Sequence, residues 1–154
     1  MKKEIAPKTE SLIGITLQGI KTEQFALLDN VFKPKKEIGV ATSMKFKIDD
    51  EKKQIGIYAQ FEFQQIKKTF IIIEVSCHFT IEETAWNSFI NKKEKKITIP
   101  KSLMAHLGMI TVGTSRGVLH AKLEGATIPQ FLVPIVNVTE MIPEDMQFDM
   151  FESE

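Results

Sequence analysis

The side chains able to carry chemistry are few in this chain and poorly placed to cooperate. Cys77 is the single cysteine and His78 follows it directly, the residue types of a nucleophile and its general base. They sit in an alternating, strand-like stretch, where successive side chains point to opposite faces, so they cannot face each other and Cys77 reads as a small buried hydrophobe. His106 and His120 stand about four helical turns apart, too far to share a metal ion. The run Gly113-Thr114-Ser115-Arg116-Gly117 has two glycines and a cation, but it lacks the lysine-serine ending of a phosphate loop and lies in a pattern of helical period. Helix packing is its better reading. Glu82 and Glu83 are adjacent carboxylates that read as solvated. With no acid–base pair, nucleophilic pair or metal-ligand spacing, the chain is expected not to be an enzyme, and no metal site is expected.

What the chain has in quantity is soft apolar surface: eleven Phe, seven Met and one Trp. Phe25, Phe32, Trp86, Phe89, Phe131, Met141, Met146, Phe148, Met150 and Phe151 fall in connections or near ends rather than on alternating core faces. Aromatic and methionine side chains on adaptable segments let a surface take many apolar partners without a fixed shape. The plainer reading is that they close the core and a subunit interface.

The elements that must carry these residues are bounded by composition. At 154 residues, 43% hydrophobic and 26% charged, the chain fits one domain with a sizeable core. No apolar run approaches the roughly 20 residues of a membrane span. Residues 1–10 are charged and read as a flexible tail without an export signal region; a single domain is expected over 11–143 and an acidic tail over 144–154. One cysteine suits a reducing cytoplasm. Twenty basic against twenty acidic residues argue against a nucleic-acid binder, and the clusters at Lys33, Lys35, Lys36 and at Lys92, Lys93, Lys95, Lys96 read as solvated loops.

Period-two alternation predicts four strands. The first runs from Ile13 through Ile15 and Leu17, breaks at Gly19 and resumes through Phe25 and Leu27. The others carry Met44, Phe46, Ile48; Ile55 to Phe63; and Ile71 to Ile81. Short joints between the last three imply an antiparallel sheet with one packed and one wet face. Glu82 to Lys96 reads as a helical turn or a loop over the sheet edge, followed by a solvated linker.

From Pro100 a long helix is predicted, with Thr98 as its cap and Gly125 as its stop. Leu103, Leu107, Ile110, Thr114 and Val118 form one stripe, assigned to the sheet. Ala105, Gly108, Val112 and Ser115 form a small-residue face, assigned to an oligomer contact. Arg116 has two readings, capping carbonyls at a helix break or pairing across a subunit interface. Two prolines forbid a central strand over 128–138, and Pro143 ends the ordered pattern. Strands first and helix afterwards make an α+β fold.

The segments Ile110-Thr111, Ser115-Arg116-Gly117 and Ile128-Pro129-Gln130-Phe131, with Pro134 and Asn137, together with Lys21 to Phe25 and Phe70 to Ile81, resemble the SecB family of export chaperones over roughly residues 11–142. The resemblance implies a four-stranded antiparallel sheet with a long C-terminal helix on one face, assembled as a dimer or a dimer of dimers. It also implies apolar grooves holding unfolded polypeptide, with no cofactor and no ATP. In that case Phe25, Phe32, Trp86, Phe89 and Phe131 line the groove. Of the acidic positions that dock the translocase motor SecA, only Glu74 matches, since Thr22 and Ala26 stand at two others, which argues against SecA as a partner. The stretch Val118 to Thr127 is extra, and the chain after Asn137 leaves little room for the family's second helix. Export and protection of the antitoxin of a toxin–antitoxin system are both roles found in such chaperones. The expectation is an ATP-independent holdase; the alternative is a non-catalytic oligomeric assembly module of the same fold.

Overall fold

The computed structural model describes residues 14–150. The expected tail over 1–10, Ile13 at the start of the first strand, and residues 151–154 lie outside the described residues.

Four strands, β1 (Ile15–Leu27), β2 (Gly39–Asp49), β3 (Gln54–Gln65) and β4 (Lys68–Ile81), form one antiparallel sheet in the order β1-β4-β3-β2. The expected alternation holds on the central pair: Ile55, Ile57, Ala59, Phe61 and Phe63 of β3 and Ile71, Ile73, Val75, Cys77, Phe79 and Ile81 of β4 are all buried. Since β1 pairs with β4 and not with β2, the connection over 28–38 must cross from one edge of the sheet to the other. Among the described residues, both outer strands present a free backbone edge.

The break at Gly19 is a bulge in a continuous strand. Register shifts between Leu17 and Gly19 and between Thr22 and Gln24 each absorb one residue, so Ile15, Leu17, Ile20, Thr22, Phe25 and Leu27 all stand opposite inward-facing residues of β4. Simple alternation fails along β1 because the phase flips twice. Leu17 and Ile20 nevertheless stay 44% and 53% exposed at this uncovered edge.

Helix α2 (Lys101–Leu123) packs on β3 and β4. Its small-residue face is turned into its own protomer, against the sheet and the segment over 138–142, and not out to a partner as the periodicity suggests. Ala105, Gly108, Val112 and Ser115 are buried inside the protomer, and a Cβ on Gly108 would stand 2.8 Å from Val138 Cγ1 and 3.2 Å from Met44 Cε. Small residues let the helix backbone approach the sheet closely, and the hydroxyls that come with them are satisfied internally. Thr111 Oγ1 donates to the Leu107 carbonyl at 2.9 Å and Ser115 Oγ to the Thr111 carbonyl at 2.7 Å. Leu103 and Leu107 are buried as expected, whereas Ile110, Thr114 and Val118 sit half-buried at the flank.

The helix stops where expected, with Gly125 at φ +74° just past its end. Its start differs. Thr98 does not cap it; Asp145 Oδ1 accepts from the Lys101 N–H at 2.9 Å, a carboxylate from the presumed acidic tail placed at the positive end of the helix dipole. Residues past Pro143 are also structured: β7 (Met146–Asp149) pairs with β6 (Lys96–Ile99), which pairs with β5 (Ile90–Asn91), in a second antiparallel sheet. The stretch read as a solvated linker is thus the turn of the β5–β6 hairpin. Between the sheets, α1 (Glu83–Ser88) carries Trp86, and α3 (Val138–Met141), four residues long, is the helix that follows α2. Among the described residues no helix is long and apolar enough to cross a membrane.

Candidate functional site

Two irregular segments face each other at the end of the sheet where β3 turns into β4. One is the crossover over 28–38, the other the strap over 127–137 that leaves α2. Between them lies a cleft of about 790 Å³ lined by Phe32, Pro34, Ile38, Ile128, Pro129 and Phe131, with Asp29, Asn30, Lys35 and Thr127 at its polar margin. Its floor is an aromatic cluster. Phe131 stands edge-on to Phe70 at 5.3 Å and to Phe32 at 5.5 Å between centroids, Phe63 is 5.9 Å from Phe131, and Phe32 is 5.2 Å from Phe70. Such tilted and edge-to-face geometries are the favoured ones for aromatic rings.

Neither wall is held by ordinary secondary structure. Among the described residues, 127–136 make no backbone-to-backbone hydrogen bond, and 32–38 hold no more than a turn at Pro34-Lys35. Side chains hold them instead. Gln65, 4% exposed, accepts from the Lys33 N–H at 2.9 Å and donates to the carbonyls of Lys33 at 2.9 Å and Lys36 at 3.3 Å, imitating a strand partner for the crossover. On the strap, Arg116 Nε donates to the Val133 carbonyl and Nη2 to the Pro134 carbonyl, both at 3.0 Å. Gln130 Nε2 reaches the His120 carbonyl at 3.2 Å, and Thr127 Oγ1 joins the strap to Asp29 Oδ2 of the crossover at 3.1 Å. Arg116 therefore does bind carbonyls, but those of a segment 17 and 18 residues away and not of a break in its own helix.

Of the five aromatic residues expected in a groove, Phe32 and Phe131 meet in this cleft. Phe25 is half-buried on β1, 5.8 Å beneath the Lys122 ammonium. Trp86 and Phe89 lie at the opposite end of the sheet and are buried; the Trp86 indole donates to Asp50 Oδ1 at 2.7 Å across from the β2–β3 turn. They serve the core. Phe63, Phe70, Gln65 and Ile38 went unnoticed as site residues, and the signal available for Phe63 was only that it ends an alternating strand next to a turn.

A second cleft, about 1050 Å³, lies at the far end of β2. Ile48, Ile97, Phe148 and Met150 line it, with Asp49, Asp50, Glu51 and Asp149 around them. The free edge of β2 runs between the two clefts, and Ile38 and Val40 at its start are 41% and 36% exposed.

The open face of the sheet holds several polar chains: Gln60, Gln64 and Thr69 converge on Glu62, Thr80 links Gln54 to Gln18, and a third chain contains a histidine. Ser76 Oγ donates to Glu23 Oε1 at 2.7 Å and lies 3.0 Å from His78 Nε2. These are the residue types of a hydrolytic triad in another arrangement: the serine proton is directed at the carboxylate, not the imidazole, and Ser76 is fully buried, so no acyl carbon can reach it. Cys77 points to the opposite, core side and is fully buried. Glu74 stands on the open face opposite Gln24 and Gln60. Ala26 shares that face opposite Ile72, whereas Thr22 lies opposite the core residue Val75. Among the described residues no group of three or more His, Cys, Asp or Glu side chains is placed to hold a metal ion.

No family model and no curated protein sequence matches the chain. Solved structures do. The SecB-like chaperone of Mycobacterium tuberculosis, solved in complex with a ChAD peptide from an antitoxin, aligns with a TM-score of 0.52 at 11% identity, over 80% of this chain and 88% of its own. A protein of unknown function from Streptococcus agalactiae aligns over 81% of this chain and 100% of its own at 14% identity, with a TM-score of 0.36 that bears no argument. The fold of this chain is a divergent SecB-like fold.

Proposed function

We propose that this protein is an ATP-independent holdase that keeps non-native polypeptide extended in the cleft between the crossover and the strap. The observation that carries the reading is the open apolar cleft beside Phe32 and Phe131, continuous with the free edge of β2. A client strand added to β2 gains backbone hydrogen bonds whatever its sequence, and its apolar side chains enter the cleft at about 25 cal/mol per Å² buried. The eleven residues of β2 give such a strand roughly 36 Å of edge, ending at the second cleft. No catalytic residue and no cofactor is needed. The structural neighbour, solved in complex with an antitoxin peptide, supports polypeptide as the ligand class, and antitoxin protection suits this chain at least as well as export because the positions expected to dock SecA are scattered over both faces of its sheet.

The functional unit is a homo-oligomer. Its contact is the outer face of α2 and the outer side of the strap, where Met109, Leu132 and Ile135 are 51%, 59% and 97% exposed and, among the described residues, no neighbour beyond the adjoining helix comes within 4 Å of a Cβ placed on Gly113 or Gly117. This patch also favours the second reading, an assembly module without clients. Suppression of aggregation of a chemically unfolded protein separates the two. The holdase reading requires light scattering to fall as the protein is added and Phe131→Glu to abolish the effect; unchanged scattering at several-fold molar excess leaves the assembly module.

A further inference from the structure

Both walls of the cleft are irregular segments whose backbone polar groups find partners in single side chains anchored on regular elements. We infer that Gln65 and Arg116 are positioning residues that fix the width of the cleft by clamping its two walls from behind. The inference rests on the cleft being the polypeptide site.

The geometry behind it is specific. Gln65 is the last residue of β3, and its side chain makes three hydrogen bonds to the crossover, one to the Lys33 N–H and two to the carbonyls of Lys33 and Lys36. These bonds bracket Pro34 and Lys35, which line the cleft. Arg116, half-buried on the flank of α2, holds two successive carbonyls two and three residues beyond Phe131. Pro129 and Pro134 have no N–H to offer, so the strap has few alternative ways to tie itself down. A guanidinium fork spans two neighbouring carbonyl oxygens at once; an ammonium binds as a point charge and cannot reproduce that pairing. Neither residue touches the cleft, so each acts on a client only through the wall it holds.

Arg116→Met, Arg116→Lys and Gln65→Met would be compared with wild type by backbone NMR relaxation, thermal unfolding and binding of a fluorescent extended apolar peptide. Ile99→Val, in β6 and remote from the cleft, serves as a control for general destabilisation. Loss of a clamp is expected to lower the backbone order parameters of its own wall, 30–38 for Gln65 and 127–136 for Arg116, to below about 0.6, while the central strands stay rigid. Peptide affinity is expected to fall about tenfold for Arg116→Met and less for Arg116→Lys, with melting temperatures no lower than that of Ile99→Val. Unchanged order parameters in the walls, or peptide affinity that follows melting temperature across all four variants, overturns the inference. If the wild-type protein binds no peptide, the functional reading fails, and the relaxation measurement alone decides whether the clamps hold the walls.

Discussion

Single residues set the details that periodicity cannot convey. The turn joining β3 to β4 consists of Ile66 at φ +48° and Lys67 at φ +62°, a conformation favoured by Asn-Gly and costly for a β-branched side chain, and Ile66 is 67% exposed with little packing to offset it. Replacing the pair with Asn-Gly should stabilise the protein by about 1–2 kcal/mol, read as a higher denaturant midpoint at unchanged slope. A neutral or destabilising result would mean that Ile66 makes contacts outside the isolated protomer. The position of this turn was legible from the polar break near Lys67, but its strain was not, because strain depends on backbone angles imposed by two strands in register. Arg116 likewise left two readings open: a long cation on a helix says nothing about which distant carbonyls lack donors. Asp145 looked like part of an acidic tail, and only the fold brings it to the first turn of α2.

At the scale of elements, the sheet was legible almost residue by residue on β3 and β4, whose faces differ completely, and poorly on β1, where two bulges shift the phase. The helix was legible in extent but not in orientation. Its small and large residues form neighbouring faces, and the choice between them is decided by how closely the sheet needs the helix axis to approach, a quantity absent from a local pattern. The consequence is testable by contrast. Gly108→Leu puts a side chain where Val138 and Met44 already stand and should destabilise the fold by about 2–3 kcal/mol, whereas Gly117→Leu meets open space in the protomer and should raise protomer stability by about 0.5–1 kcal/mol through helix propensity. If the outer face of α2 is the oligomer contact, Gly117→Leu lowers the mass seen by light scattering. An unchanged mass removes that face from the assembly, and normal stability of Gly108→Leu removes the packing proposed here.

Taken whole, the molecule places two apolar clefts at the two ends of a free strand edge, and covers the other side of its long helix with exposed Met109, Leu132 and Ile135. The strap over 127–137 belongs to both regions, with Ile128 and Phe131 turned toward the cleft and Leu132 and Ile135 left outside. Abundant phenylalanine and the lack of any catalytic pair pointed to binding rather than chemistry. Which aromatics would meet was hidden because the cleft joins residues about 100 positions apart in the chain, a separation set by topology. The most direct test of the central claim is amide hydrogen exchange with and without an extended apolar peptide. The account predicts added protection confined to Gly39–Asp49 of β2 and to the two walls of the cleft, 29–38 of the crossover and 127–131 of the strap. Protection that appears only on the outer face of α2, or nowhere, would contradict it.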